Sequence, residues 1–349
     1  MKVILDAMGG DNAPLEIVKG AIEAKKEYGI DIILVGDEDQ IRNILKNENA
    51  EPNSFEIVNT TQVIMNNESP TNAIRNKKDS SMVVGLKMLK QDKGDAFISA
   101  GSTGALIAGG TLLVGRIKGI LRPGLAPIIP SKKGPFMLID AGANAECKPQ
   151  YVLQFAMMSE IYMKKVLKKD SPTVGLVNIG EEEEKGTQFT RDCYKLLKES
   201  DINFKGNVEA RDIPFGAADI IVCDGYAGNI ILKTYEGAAE VIFSIMKEKI
   251  MSSSRAKLGG LLLKPVFKEF RKEYDYTEYG GAVLLGTKKA VIKAHGNSKA
   301  KAIKNAIRQA KLFIESDVVN NISNGIEKRF ILENKEDNEP DNVDWKVLM

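Results

Sequence analysis

Five short segments concentrate Gly, Asp, Asn and Ser beyond what turns require. They are Asp6-Ala7-Met8-Gly9-Gly10-Asp11, Ser99-Ala100-Gly101-Ser102-Thr103-Gly104-Ala105, Asp140-Ala141-Gly142-Ala143-Asn144, Asn178-Ile179-Gly180-Glu181-Glu182 and Asp224-Gly225-Tyr226-Ala227-Gly228-Asn229. Glycines let a backbone approach a ligand closely, and the polar side chains can hold it. In the second segment Ser102 or Thr103 can cap a helix, and the open N–H groups beside them favour a phosphate. The segment is not a Walker A loop, because Gly104 is not followed by Lys-Ser or Lys-Thr, and no G-x-G-x-x-G follows the first apolar run. Asp6 and Asp11 could hold a divalent cation, but Gly9-Gly10 between them equally suits a tight turn facing a ligand. Lys185, after the acidic run Glu181–Glu184, is either a solvated charge or a cation for an anionic ligand. The single histidine, His295, sits in Ala294-His295-Gly296-Asn297-Ser298, where it is either structural or part of a site.

Such segments matter if they end strands on one side of a sheet. Apolar runs at Val3–Leu5, Ile32–Val35, Phe55–Val58, Ala96–Ser99, Phe136–Ile139, Val174–Val177, Ile220–Cys223 and Ala290–Ala294 read as strands. Helical patterns run over Leu15–Tyr28, Ser81–Gln91, Ala105–Gly115, Tyr151–Leu167, Gln188–Leu197, Gly228–Met251 and a final Ser298–Ile314. Continuously apolar strands alternating with helices predict an α/β fold, three-layer α/β/α, with a mostly parallel sheet covered on both faces. Ligands of such sheets bind beyond the carboxyl ends of the strands, which is where the polar segments fall.

The 349 residues are 43% hydrophobic and 28% charged, enough apolar material for a real core, and this excludes disordered, collagenous and disulfide-scaffold classes. Cys147, Cys193 and Cys223 are odd in number and widely spaced, which fits a reducing compartment. One histidine excludes a His-rich metal site, and no resident metal or cofactor is expected. A net charge of +2 does not suggest nucleic acid. No signal peptide and no membrane-spanning stretch are read from the chain. We expect one catalytic unit over 1–332, with a protruding basic and apolar helical segment at about 250–274. An acidic tail would follow over 333–349, with six acids and two lysines.

These segments, in this order and with Gly175–Glu182, Tyr279-Gly280-Gly281-Ala282 and His295-Gly296, closely resemble the bacterial phosphate acyltransferase (PlsX) family of phospholipid synthesis. The likeness runs from residue 1 to about 330. Ser102, Ala210 and Tyr226 depart from the residues commonest in that family. The resemblance implies transfer of a fatty acyl group from acyl carrier protein to inorganic phosphate. It also implies a homodimer and a fold like that of phosphotransacetylase and the isocitrate/isopropylmalate dehydrogenases. The acyl phosphate would feed a membrane glycerol-3-phosphate acyltransferase, so a cytoplasmic protein at the inner face of the cell membrane is expected.

That reaction needs phosphate held still, an oxyanion stabilised and a thiolate released. Ser102, Thr103 and their loop amides with Lys185 are the expected phosphate holders, and Asn229 and Asn144 the oxyanion donors. His295 is the expected acid for the leaving thiolate. Asp6, Gly9, Gly10, Asp11, Ser99, Gly101, Gly104, Asp140 and Asp224 are expected around the substrates. Lys301, Lys304, Arg308 and Lys311 form one stripe of the final helix, either a solvated face or a docking strip for the acidic carrier protein. Leu258, Leu261, Leu262 and Leu263 lie between basic shoulders, from Arg255 to Lys272, as a membrane-contacting tip or as dimer packing. A coenzyme A-dependent phosphotransacylase and a non-catalytic membrane scaffold are the competing readings.

Overall fold

The computed structural model describes residues 1–336 apart from positions 52 and 275, with backbone alone at 271–273, 276–277 and 330–336. Two sheets are present rather than one. The first runs β3 (Glu56–Asn59), β2 (Asp31–Gly36), β1 (Lys2–Asp6), β4 (Ala96–Ser99), β12 (Ala290–Lys293), β11 (Ala282–Leu285), β5 (Gly124–Ala126). Its first five strands are parallel, and β11 is antiparallel to both of its neighbours. The second runs β6 (Ile128–Ile129), β7 (Phe136–Ile139), β10 (Ile220–Val222), β8 (Val174–Asn178), β9 (Phe204–Glu209), with only β6 antiparallel. Pro127 alone separates β5 from β6, so the chain steps directly from one sheet into the other. The Ala141 amide donates to Leu125 O (2.9 Å), which ties the end of β7 to β5.

The helices are α1 (Leu15–Tyr28), α2 (Glu38–Asn47), α3 (Pro70–Asn76), α4 (Ser81–Lys90), α5 (Thr103–Gly109), α6 (Pro149–Lys165), α7 (Gln188–Glu199), α8 (Gly225–Met251), α9 (Ser254–Leu262), α10 (Lys264–Glu273), α11 (Ala300–Glu315) and α12 (Val318–Glu336). Alternation along β1 explains the layers. Val3 and Leu5 join a core with Ile17, Val18 and Ala21 of α1 and Ile303 and Ile307 of α11. Ile4 faces the other way, among Met82 and Leu86 of α4 and Phe97 of β4. Each such side chain contributes roughly 1.5–3 kcal/mol by leaving water.

Three expectations need correction. The helix expected over Ala105–Gly115 is α5 followed by a π-helical turn at Gly110–Val114. The helix expected at Ser298–Ile314 runs Ala300–Glu315, and it is not the last. α12 follows, although its Asn, Ser and Gly are poor helix formers, because Val318, Ile322 and Ile326 are buried at i, i+4 spacing in the main core. The chain is therefore still helical at 333–336, and the rest of the predicted tail, 337–349, lies outside the described residues.

Candidate active site

Adjacent parallel strands β1, β4 and β12 end together, so their loops must pack against one another. Asp6 closes β1 with both carboxylate oxygens occupied. Oδ2 accepts from Ser99 Oγ at 2.6 Å and Oδ1 from the Met8 amide at 3.1 Å. Burial raises the Asp6 pKa, while hydrogen bonds from Ser81, Ser99 and Met8 and the charge of Lys293 oppose the shift. Ser99 Oγ also accepts from the Gly101 amide at 3.0 Å, which fixes the start of the β4–α5 loop. Gly9 fits here because it has no Cβ: a methyl group would lie 2.6 Å from Asp6 Oδ2 and 2.7 Å from Gly101 N. Asp11 donates its amide to Gly296 O at 2.8 Å, joining the β1–α1 loop to the loop after β12. Ser102 caps α5, its Oγ accepting from the Ala105 amide at 3.4 Å. Lys293, the last residue of β12, donates from Nζ to the carbonyls of Ala100 (2.8 Å) and Gly101 (2.6 Å).

The second sheet builds the opposite wall. Asp140, fully buried at the end of β7, organises its loop: Oδ1 accepts from the amides of Leu125, Gly142 and Ala143, and Oδ2 from the amide and side chain of Asn144. Burial pushes its carboxyl up, against the pull of those bonds. The Asn144 carboxamide also donates to Pro123 O at 2.8 Å, so that group serves the loop. Asp224 caps α8 through the Ala227 amide at 2.8 Å. At Gly228 a Cβ would fall 1.9 Å from Asp140 O, so only glycine lets the first turn of α8 lie on this loop. That seating fixes which α8 side chains face inward, and Asn229, Lys233 and Glu236 all do.

Between the walls lies a cleft of about 340 Å³. One part of its lining is polar: Gly101, Thr103, Asn229, Lys233, Lys293 and His295. Another is apolar, with Leu125, Ile128, Ile129, Leu232 and Tyr235. His295 Nδ1 lies 2.7 Å from Asn297 Oδ1, and its Nε2 stands 3.4 Å from Lys233 Nζ and 3.6 Å from Glu236 Oε2. Lys233 and Glu236 pair at 2.7 Å. Partial burial pushes the Glu236 carboxyl up, but the hydrogen bonds from His295 and Lys233 outweigh it and hold it below its ordinary range. An anion, an apolar chain and a proton donor can therefore meet in one space.

Of the residues singled out in the sequence, Gly101, Thr103, Asn229 and His295 line this cleft. Asp6, Gly9, Gly10, Asp11, Ser99, Ser102, Gly104, Asp140, Asn144 and Asp224 lie on the loops behind it, outside the lining. Lys185 is not brought to the cleft; it lies exposed on the β8–α7 loop, where its carbonyl accepts from Asn178 Nδ2. Lys293, Lys233 and Glu236 were missed. Lys233 and Glu236 had a readable signal, at i+4 and i+7 from Asn229 on one helix face. Lys293 had another, as the one charge in an otherwise apolar strand.

The stripe on α11 is an ion-pair belt. Lys304 reaches Glu27 (2.9 Å) and Glu23 (3.7 Å), Lys301 and Lys311 pair with Glu278 and Glu315, and Arg308 donates to Glu278 O. Leu258, Leu261, Leu262 and Leu263 are all exposed on α9 and its end, Leu262 at 76%.

A family described as "Fatty acid synthesis protein" matches residues 1–321. A phosphate acyltransferase of Clostridium novyi is 55% identical over 332 residues, covering 95% of this chain and all of the relative. The chain belongs to the phosphate acyltransferase family. It is thus an acyltransferase, and a second family member, from Clostridium botulinum, is 56% identical over 93% of this chain and 98% of its own. The fold resembles that of a phosphotransacetylase from Streptococcus pyogenes (TM-score 0.56, 15% identity, 94% of each chain). It also resembles a branched-chain phosphotransacylase from Enterococcus faecalis (TM-score 0.51, 13% identity, 90% of this chain and 100% of the other). The α/β architecture and the expected likeness to phosphotransacetylases are borne out by these matches.

Proposed function

We propose that the enzyme transfers a long-chain acyl group from acyl carrier protein to inorganic phosphate, giving acyl phosphate and the free carrier thiol. The observation that supports this best is the two-sided cleft, a cationic and amide-rich wall beside an apolar one with His295 between them. Phosphate near neutral pH is already a competent nucleophile, so the protein's task is to neutralise and position it against the thioester carbonyl. Thr103 and the β4–α5 loop hold it in this reading. The Asn229 carboxamide, exposed on the cleft wall, donates to the carbonyl oxygen as it gains charge, a contribution of about 3–4 kcal/mol where such donors have been removed. His295 gives a proton from Nε2 to the departing phosphopantetheine sulfur, while Asn297 and Glu236 hold the ring in place.

The phosphate oxygen attacks directly, with no acyl-enzyme. None of the three cysteines lines the cleft. Burial pushes the Cys147 and Cys193 thiols up to about 12 and Cys223 well above its ordinary value, the wrong direction for a nucleophilic thiolate. In this reading the product is delivered to a membrane glycerol-3-phosphate acyltransferase, and α9 touches the bilayer. Val241, Ile242 and Ile245 are each at least half exposed on α8 and form the homodimer face. A monomer in sedimentation at micromolar concentration would remove that last element.

The test is release of free thiol from palmitoyl-acyl carrier protein, with and without phosphate, beside palmitoyl-coenzyme A. Phosphate-dependent release from the carrier protein is expected. Release from coenzyme A alone would move the assignment to a coenzyme A-dependent enzyme, and none from either donor would leave the scaffold reading.

A further inference from the structure

Lys293 is a cation that feels the charges of Asp6 and Asp11 but is paired with neither. It is half-buried at the end of β12, and its Nζ donates to two neutral oxygens, the carbonyls of Ala100 and Gly101. The Asp6 oxygens accept from Ser99 and Met8, so Asp6, like the exposed Asp11, acts on Lys293 only through space. Among the described residues Lys293 makes no ion pair. An ammonium has three N–H donors, so one remains beyond the two carbonyls, and Lys293 lines the same cleft as Gly101, Thr103 and His295. A desolvated cation with no direct ion pair and a donor left over costs free energy, which an anion bound in the cleft would offset.

We propose that Lys293 is the cation that binds the attacking phosphate, through its third N–H and its charge, while its other two bonds hold the β4–α5 loop against that phosphate. The inference rests on the proposed reaction. It assigns to β12 a substrate ligand that the loop pattern alone would have put at Lys185.

The groups acting on Lys293 set a pH signature. Desolvation, with a smaller push from Lys233 on α8, lowers its pKa to about 8, while Asp6 on β1 and Asp11 on the β1–α1 loop pull the other way. A bound dianion favours the charged ammonium and raises that pKa. The contribution of Lys293 to phosphate binding is therefore complete below pH about 8, is accompanied by proton uptake just above it, and weakens as pH rises further.

The experiment compares wild type with Lys293→Met and Lys293→Arg, measuring KM for phosphate and for the acyl donor from pH 6.5 to 9.5 together with the melting temperature in inorganic phosphate. Lys293→Met should raise the phosphate KM about tenfold or more, as loss of a charge-assisted bond requires, leave the donor KM within about twofold, and abolish the phosphate-induced rise in melting temperature. Lys293→Arg should keep a saturable phosphate response but lose the weakening above pH 8, since a guanidinium does not deprotonate. A Lys293→Met enzyme whose phosphate KM and thermal response match wild type would overturn the proposal. So would a fall confined to kcat and stability, which is what loop support alone predicts. If wild type shows no phosphate-dependent turnover yet phosphate stabilises it and not Lys293→Met, the binding site stands and the proposed reaction falls.

Discussion

His295 sits where two independent walls meet, and its neighbours divide the work of placing it. Asn297, two residues on, fixes Nδ1, and Glu236 and Lys233 reach Nε2 from α8 across the cleft. If it supplies the proton, His295→Ala should lower kcat about a hundredfold or more, the usual range for a positioned acid, while changing the phosphate KM little. A loss below about threefold would assign the ring to structure and leave the thiolate to depart unassisted. This residue and Asn229 were legible in the sequence, because each lies in a polar segment after an apolar run. Asp140 and Asn144 were legible as important but not in their role. In the fold the Asp140 carboxylate takes four donors from its own loop and a fifth from Leu125 of β5, and so cannot serve a ligand as well.

At the scale of elements, most strands could be read because central parallel strands are continuously apolar. β5, β6, β9 and β11 could not: β9 is polar along most of its length, β11 follows a Gly-Gly pair, and β5 and β6 are three and two residues long and flank Pro127, too short for any periodicity. β5 and β6 nonetheless decide where the site lies, since they hold the two sheets edge to edge. Strand order is the other quantity a sequence conceals. Lys185 follows a strand end as polar as the others, but β8 lies beyond β10 from the junction, and its loop stays out of the cleft. The seating of α8 is the tightest constraint in the second wall. Gly228→Ala must push the helix off Asp140 O, so kcat and melting temperature should fall together, with overpacking typically costing about 1–3 kcal/mol. Unchanged activity in that variant would mean that Asn229, Lys233 and Glu236 need not hold their present positions.

For the whole molecule, two sheets of opposite contribution share one cleft, the first offering loop amides and Lys293, the second an apolar floor and the face of α8. No helix among the described residues is long and apolar enough to cross a membrane. α9 instead leaves Leu258, Leu261 and Leu262 exposed, with Arg255, Lys257, Lys264 and Lys268 near them along the chain. If this tip meets anionic lipid, Leu262→Glu should abolish flotation with anionic vesicles while leaving acyl transfer from a soluble donor intact. Undiminished flotation would send these leucines to a protein interface. The central claim, direct attack by phosphate on the carrier thioester, is tested most directly by mixing excess enzyme with acyl-labelled carrier protein and quenching within one turnover. Label should stay on the carrier without phosphate and pass straight to acyl phosphate with it. Label bound covalently to the denatured enzyme, formed without phosphate, would contradict the account.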